Sequence, residues 1–193
     1  MKNNVLLLGG TGTLGSKIIK SKFFPNLKYP KKKILNILNK KQIENFLIKK
    51  KINLVLHCAA LARVKDCELN KSKAKKINII GTQNIVKSIL KIKKITKKDI
   101  KLVFISSDAV YASTRGSYKE TDKTSPYNIY GLTKLKGEKI VKKLKNYIII
   151  RTRFFDKKKI PFKYSAVNIY TSSLEVNKLV KYISILVKKK FQG

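Results

Sequence analysis

The sequence predicts an α/β fold built on a doubly wound parallel sheet, and three observations support this prediction. Short continuous apolar runs, typical of strands buried on both faces, begin at residues 5–8 and recur along the chain. Segments with apolar residues at helical spacing alternate with these runs. A glycine-rich turn at residues 9–15 directly follows the first run. We therefore expect one main domain with helices on both faces of a parallel sheet.

The predicted elements follow one another in β-α order. A strand at 5–8 leads through the glycine turn into a helix at 13–22, and Pro25 and Pro30 then interrupt the chain. A weak second strand is expected at 34–37. The later elements are a helix at 42–50, a strand at 52–58, a helix at 71–93, a strand at 102–106, a polar loop at 112–126, a helix at 127–145 and a strand at 147–150.

The β-α pattern weakens after residue 151. Ser172 and Glu175 have the spacing of a capping box, in which each side chain accepts a backbone N–H bond from the other end of the turn. Apolar residues between 176 and 187 then trace one face of an amphipathic helix. We expect this helix to pack on the main domain. The alternative is that it lies on an anionic membrane surface.

Length and composition favour a folded protein of 193 residues, of which 43% are hydrophobic. No apolar run reaches the roughly 18–20 residues that span a bilayer, so we expect no membrane span. The first apolar stretch is short and enters the glycine turn, which indicates a strand rather than a signal peptide. Cys58 and Cys67 are too few for a disulfide framework, so a cytoplasmic location is expected.

The chain is strongly basic, with 46 Lys and Arg against 10 Asp and Glu and a net charge of +36. Nucleic-acid binding is one interpretation of this charge. Only four of the basic residues are Arg, however, and nucleic-acid interfaces usually use its planar guanidinium. Lys, Ile and Asn share A/T-rich codons, so biased composition is the interpretation we favour. We expect no specific nucleic-acid function, but the charge should concentrate anionic ligands.

The glycine turn has the spacing Gly9-x-x-Gly12-x-x-Gly15. Glycine permits a tight turn and the close approach of a diphosphate. The helix that begins beside Thr13 and Leu14 supplies N–H donors and the positive end of its dipole. Between a buried strand and a helix, this turn predicts a dinucleotide-binding site.

Tyr130 and Lys134 stand four residues apart, so they share one face of the predicted helix. The ammonium of Lys134 and a nicotinamide cation would lower the pKa of the phenol towards neutrality. Lys134 could also hold a ribose. Ser107 follows a predicted strand and could donate a hydrogen bond to a reacting carbonyl oxygen. The three side chains predict a site for hydride transfer between a nicotinamide and a carbonyl group.

These motifs resemble those of the extended short-chain dehydrogenase/reductases, and most of all the dTDP-4-dehydrorhamnose reductase-like branch that acts on sugar nucleotides. The resemblance covers roughly residues 1–155, and the motifs occur in the family's order. They are the glycine turn at 9–15, His57-Cys58-Ala59-Ala60 with Cys67-Glu68, Asn78-Ile79-Ile80-Gly81-Thr82, Ser106-Ser107-Asp108-Ala109-Val110-Tyr111, and residues 126–138 from Pro126 to Glu138.

The resemblance implies a Rossmann fold with NADPH, or NADH, as cofactor and a nucleotide-diphosphate sugar as substrate. It implies that Ser107, Tyr130 and Lys134 are catalytic and that Asp108 shapes the substrate side. Its cofactor-binding residues are Gly9, Gly12, Thr13, Leu14, Gly15, Ala59, Ala60, Tyr130 and Lys134. No metal is expected, and a homodimer is left open. His57 is expected to have a positional role, and Glu68 is either structural or a contact to a partner subunit.

The C-terminal part departs from the family, whose members are usually longer there and use it for much of the sugar-nucleotide pocket. We expect an NAD(P)-binding Rossmann domain at 1–155 and a truncated remnant of the substrate-binding region at 156–193, in which 167–172 resemble a piece of the family's sequence. The leading hypothesis is an NAD(P)-dependent keto-sugar reductase. The alternatives are an epimerase or dehydratase of the same fold, a non-catalytic NAD(P)-binding subunit, a truncated paralogue and, last, a basic nucleic-acid binder.

Overall fold

The computed structural model describes residues 3–112, 114–158, 172–189 and 191–193. A five-stranded parallel sheet forms its centre, with the strand order β2-β1-β3-β4-β5. The strands are β1 (Asn4–Leu8), β2 (Asn26–Lys28), β3 (Leu54–His57), β4 (Lys101–Ile105) and β5 (Tyr147–Ile150). The predicted doubly wound parallel sheet is confirmed.

The strand order reverses between β1 and β3. The common six-stranded order of this fold is 3-2-1-4-5-6. When strand 3, at one edge, is left out and the other strands are renumbered, the order seen here results. Ligands of such sheets bind in the crevice outside the carboxyl ends of the strands at the reversal point. Here the glycine turn after β1 and the Ala59-Ala60 segment after β3 lie at this crevice.

Helices cover both faces of the sheet. The helices are α1 (Thr13–Ser21), α2 (Lys40–Lys49), α3 (Val64–Leu69), α4 (Lys71–Ala74), α5 (Gly81–Thr96), α6 (Ile129–Val141) and α7 (Val176–Lys188). Alternate residues of β1 enter two separate cores, as the pleat of a strand requires: Leu6 packs with α2, α5 and α6, whereas Leu7 packs with α1 and α7. A π-helical segment (Lys75–Ile80) joins α4 to α5, and a short 3₁₀ turn (Asp108–Val110) follows β4.

The C-terminal helix α7 packs on the main domain, as its apolar stripe predicts. Val176, Leu179, Val180 and Ile183 are each at most 2% exposed and share a core with β1, β3 and α1. The stripe is therefore covered by protein. None of the helices in the described residues is both long enough and apolar enough to cross a membrane.

The prediction of a second strand at 34–37 is wrong. These residues form turns, and β2 lies earlier, between Pro25 and Pro30. Leu35 is buried in the core below α2, and the Asn84 amide donates a hydrogen bond to the Ile37 carbonyl. Leu35 and Ile37 are apolar because they pack into the core from a loop. Their spacing of two residues resembles the apolar alternation of a strand.

The predicted capping box is also wrong. Glu175 is itself the N-cap residue of α7, and its carboxylate accepts bonds from the backbone N–H groups of Asn177 and Lys178. A carboxylate at this position satisfies two free donors and complements the helix dipole. Ser172 therefore lies outside the helix that it was expected to cap.

A second, two-stranded parallel sheet was not foreseen. It pairs β6 (Arg153–Phe155) with β7 (Ser173–Glu175), directly before α7. Within the predicted segment 167–172, residues 167–171 lie outside the described residues. Gly193 lies along the outer edge of β5, where it bonds to the N–H of Ile149 and the carbonyl of Tyr147 in the pattern of a parallel strand. The domain division at residue 155 stays a prediction.

Candidate active site

The glycine turn requires glycine at two of its three repeated positions. Gly9 has φ of +90°, and a Cβ built there would lie 2.6 Å from the backbone nitrogen of Ala59. A Cβ on Gly15 would overlap the carbonyl oxygen of Gly9. These contacts bring the turn after β1 and the Ala59-Ala60 segment after β3 together along one wall of the crevice.

Gly12 differs from the other two glycines because the surrounding packing leaves room for a side chain there. It is the N-cap residue of α1, with no side-chain cap, and a Cβ there would meet only the Gly9 carbonyl oxygen, at an ordinary 3.5 Å. The first N–H groups of a helix have no intrahelical partner. The N–H groups of Thr13 and Leu14 are thus placed to bind an anion, whereas the Leu14 side chain is buried in the core.

Gly12→Val should weaken NADPH binding by at least about tenfold without unfolding the protein. The valine side chain would occupy the space through which a diphosphate approaches α1, and the contacts at Gly12 leave the fold room for it. Fluorescence titration with NADPH and a thermal melt measure the two quantities. Gly116→Val is the control, because a Cβ at Gly116 meets nothing within 4 Å. Unchanged affinity in a folded Gly12→Val variant would contradict the assignment.

The segment after β3 is held by the side chain of Asn78. Its Oδ1 accepts from the Leu61 N–H at 2.8 Å, and its Nδ2 donates to the Leu61 carbonyl at 3.0 Å and to Thr133 Oγ1 at 2.9 Å. Thr133 in turn donates to the carbonyl of Tyr130 at 2.8 Å. One buried amide thereby ties the cofactor side of the crevice to the helix that carries Tyr130. The motif containing Asn78 was recognised from the sequence, but this contact was not.

Three contacts fix the beginning of α6. Asn128 Oδ1 accepts from the Gly131 N–H, and Glu68 Oε1 accepts from the Ile129 N–H, both at 2.7 Å. Gly131 packs so closely on the 3₁₀ turn that a Cβ there would overlap the Ala109 carbonyl oxygen. These contacts set Tyr130 opposite Ser107. Of the two interpretations of Glu68, the structure shows the structural one.

The hydroxyl of Ser107 lies between the 3₁₀ turn and Tyr130. It accepts from the Ala109 N–H and donates to Asp108 Oδ1, both at 3.1 Å. The pKa of Tyr130 is raised to about 12, mainly by burial, although a hydrogen bond with Ser107 acts to lower it. The expected fall of this pKa is therefore wrong for the protein without a cofactor, because burial outweighs every favourable interaction. Such a phenol is protonated at neutral pH.

Lys134 is buried on α6, with only 3% of the residue exposed. Its Nζ lies 4.0 Å from the centroid of the Phe104 ring. Burial lowers its pKa to about 8, while nearby Cys58 and Glu138 act in the opposite direction. In the described part of the chain, this ammonium has no hydrogen-bond acceptor, so its three N–H groups suit the hydroxyls of a ligand.

His57 is held as a neutral ring. Thr82 donates its only proton to the Asn78 carbonyl at 2.7 Å, so His57 Nε2 must donate to Thr82 Oγ1 at 3.0 Å. Its Nδ1 is buried and has no partner among the described residues. Burial, with a smaller effect of the Lys134 charge, lowers the pKa of His57 to about 3. A ring fixed in this way fits the expected positional role.

A buried ion pair lies beside Lys134. Glu138 is 2% exposed and accepts a hydrogen bond from Ser106 and bonds from Nε and Nη2 of Arg151. Arg151 also donates to the phenol of Tyr111 at 2.9 Å and to the carbonyl of Glu120 at 3.0 Å. The pair raises the pKa of Arg151, chiefly through its bonds to Glu138. The network connects β4, β5 and α6 to the polar loop, and no motif in the sequence indicates it.

The geometry fits a dinucleotide. It combines an uncapped helix N-terminus and an open Gly12 at the reversal point of the sheet with a buried ammonium that has no acceptor among the described residues. A model of the RmlD substrate binding domain family matches residues 1–176. The chain belongs to this family.

Solved dTDP-4-dehydrorhamnose reductases have a similar fold. dTDP-4-dehydrorhamnose reductase from Bacillus anthracis, solved in complex with NADP, aligns with 100% of this chain and 73% of its own at a TM-score of 0.83 and 27% identity. The hypothetical dTDP-4-dehydrorhamnose reductase from Sulfolobus tokodaii aligns with 98% of this chain and 74% of its own chain, at a TM-score of 0.81 and 29% identity.

Among curated relatives, methionine adenosyltransferase 2 subunit beta from Bos taurus is 31% identical over 147 residues, which are 71% of this chain and 42% of that protein. A dTDP-4-dehydrorhamnose reductase from Aggregatibacter actinomycetemcomitans is 29% identical over 154 residues, or 77% of this chain and 50% of that protein. The chain thus spans half or less of the length of these two relatives.

Proposed function

We propose that this protein is an NADPH-dependent reductase of a nucleotide-linked 4-keto sugar, of the dTDP-4-dehydrorhamnose reductase type, acting in the cytoplasm. One observation carries the proposal. Tyr130 faces Ser107 after β4, and Lys134, one turn further along α6, is buried against Phe104 of β4 and close to Cys58 after β3. The names of the reductases that share this fold support the choice of cofactor and of substrate class.

The roles of the residues follow from their environment. NADPH, when bound, supplies a hydride to the carbonyl carbon of the sugar. The N–H groups of α1 would hold its diphosphate, and Lys134 would hold its nicotinamide ribose. Tyr130 remains protonated at neutral pH and would donate its proton to the carbonyl oxygen. Ser107 would turn its hydroxyl from Asp108 to the same oxygen.

The direct test is turnover by the purified chain. NADPH consumption is followed by absorbance with dTDP-4-dehydrorhamnose as substrate, and the product is identified by mass spectrometry. We expect consumption that depends on both compounds. A chain that binds neither NADPH nor NADH would contradict the proposal.

The second candidate function is a cofactor-binding subunit of a larger assembly. One observation favours it: relatives named as subunit beta of methionine adenosyltransferase 2 match the chain at 31–32% identity, as strongly as the reductases do. This candidate predicts NADPH binding with no keto-sugar turnover. The same titration and turnover experiment therefore separates the two functions.

We predict a preference for NADPH over NADH. Lys31, Lys32 and Lys33 are exposed and lie in the loop after β2, and Tyr29 of the same loop packs beside Gly10 of the glycine turn. The loop after this strand is where an acidic residue would bind the ribose diol of NAD, and no Asp or Glu occurs before residue 44. Replacing all three lysines by Gln should weaken NADPH by about tenfold and leave NADH nearly unchanged.

The control for this triple variant is the replacement of Lys49, Lys50 and Lys51 by Gln. These three exposed lysines precede β3 and so lie at the opposite edge of the sheet. The control loses the same charge and should bind both cofactors like the wild type. Equal affinity of the wild type for NADH and NADPH at physiological salt would refute the preference.

The binding of NADPH should weaken between pH 7 and pH 9. With a pKa of about 8, Lys134 carries its proton in roughly nine-tenths of molecules at pH 7 and in roughly one-tenth at pH 9. The positive charge is therefore lost as the pH rises through 8, together with one of the three N–H donors, and the neutral amine that remains is a weaker donor to the ribose. Titrations at both pH values should show this loss in the wild type and in Lys136→Gln, an exposed control on the same helix. Lys134→Gln should bind weakly at both.

A further inference from the structure

The four arginines of this chain have a common location. Only four of the 46 basic residues are Arg, and each follows the carboxyl end of a strand: Arg63 after β3, Arg115 after β4, and Arg151 and Arg153 after β5. The helices that cover the sheet carry lysine instead. Ligands of this fold bind at that edge of the sheet. A guanidinium binds carboxylates and phosphates through two parallel bonds, which an ammonium cannot do.

Arg151 and Arg153 contact neighbouring parts of the segment after β4. Arg151 is only 14% exposed and is held by Glu138 and Tyr111. Arg153 has 44% of its side chain exposed, and its Nε lies 2.7 Å from Asp108 Oδ2. Arg151 therefore has a structural role, while Arg153 remains accessible to a ligand.

The Arg153–Asp108 ion pair is suited to exchange. Both side chains are close to half exposed, and ion pairs of this kind contribute little to stability. Asp108 keeps a second partner when Arg153 leaves, because Ser107 donates to its Oδ1. An incoming anion with two or more oxygens can thus replace the carboxylate on Arg153 at small cost.

The position of Arg153 matches one group of the proposed substrate. In a nucleotide-linked 4-keto sugar, one sugar ring separates the carbonyl group from the diphosphate. In the protein, one carboxylate separates the Ser107 hydroxyl from Arg153. A carbonyl group placed at Ser107 and Tyr130 therefore leaves the diphosphate within reach of the guanidinium.

We propose that Arg153 binds the diphosphate of the nucleotide sugar and that Asp108 is its counter-ion while the substrate is absent. This inference rests on the proposed function, because it takes the nucleotide sugar as substrate. It changes the role expected for Asp108. The carboxylate holds Arg153 and competes with the substrate for it, instead of contacting the sugar.

The experiment is calorimetric titration of the NADPH-loaded protein with dTDP, UDP and GDP. Arg153→Gln should weaken the tightest of the three by about tenfold or more, the scale of one lost charge-assisted contact, and leave the affinity for NADPH unchanged. Arg153→Lys should lie between the wild type and Arg153→Gln. Lys93→Gln is the matched control. Its ion pair with Asp99 is similarly exposed, at 37% and 39%, and lies near the end of α5, at the opposite edge of the sheet.

Asp108→Asn distinguishes anion binding from a merely structural role. Removing the competing charge should tighten nucleoside diphosphate binding by about threefold or more, and the double variant with Arg153→Gln should bind like Arg153→Gln alone. If Arg153 only stabilised the loop, both single variants would weaken binding. The inference fails if Arg153→Gln stays within twofold of the wild type, or if the wild type binds none of the three nucleotides. Keto-sugar turnover then shows whether the proposed function survives.

Discussion

Tyr130→Phe is expected to lower the rate of keto-sugar reduction by about 10²-fold or more, while NADPH still binds. The phenol is partly buried opposite Ser107, and burial keeps it protonated at neutral pH. Phenylalanine preserves the ring and its packing but removes the proton that the carbonyl oxygen must receive. The loss should therefore appear in kcat and not in the affinity for the cofactor.

Tyr127→Phe provides the matched control for this variant. Tyr127 is 66% exposed and precedes α6, so it loses the same hydroxyl without touching the site. Lys134→Ala should behave differently from Tyr130→Phe, because it removes the donors to the ribose and so weakens cofactor binding as well as the rate. Steady-state kinetics and NADPH titration measure both effects. An active wild type whose Tyr130→Phe variant keeps the same rate would defeat the mechanism.

The buried strands were predictable because their signal is local. The strands β1, β3, β4 and β5 are continuous apolar runs, and the structure places each within about two residues of its expected bounds. The strand β2 has three residues at the edge of the sheet, Asn26–Lys28, none of them fully buried, so no apolar run marks it. Leu35 and Ile37 produced the stronger pattern from a loop, because core packing depends on partners far along the chain.

The candidate site was likewise predictable only in part from the sequence. The positions of the glycine turn and of Ser107, Tyr130 and Lys134 follow from motifs whose spacing is visible in the sequence. The contacts that hold these elements together do not, because their partners are distant: Asn78 donates to Thr133 across 55 residues, and Arg153 pairs with Asp108 across 45. The pKa of Tyr130 was misjudged for a related reason. The sequence shows the neighbouring charge at Lys134, whereas the degree of burial that determines the pKa is a property of the fold.

The second large effect is expected for Arg151→Met, which should lower the free energy of unfolding by about 3–5 kcal/mol. Methionine fills a similar volume but leaves the carboxylate of Glu138 buried without the guanidinium, and among the described residues the Ser106 hydroxyl is the one donor that remains. Urea unfolding followed by circular dichroism gives the change, with an unaltered m-value as evidence that the denatured state is the same. Arg115→Met is the control. It breaks an exposed pair with Asp122 and should cost about 1 kcal/mol or less.

A double variant separates two contributions to the free energy of unfolding: the cost of burying a lone charge and the stabilisation by the ion pair itself. Arg151→Met combined with Glu138→Gln removes both charges, so the buried side chain no longer needs a cation, and most of the lost stability should return. If the double variant is as unstable as Arg151→Met alone, the contacts of Arg151 with Tyr111 and the Glu120 carbonyl hold the fold instead. Recovery of stability would mean that the pair is needed chiefly because Glu138 is buried beside Lys134, where its charge raises the pKa of the ammonium. The double variant should then show a lower pKa for Lys134 and a loss of NADPH affinity that begins below pH 8.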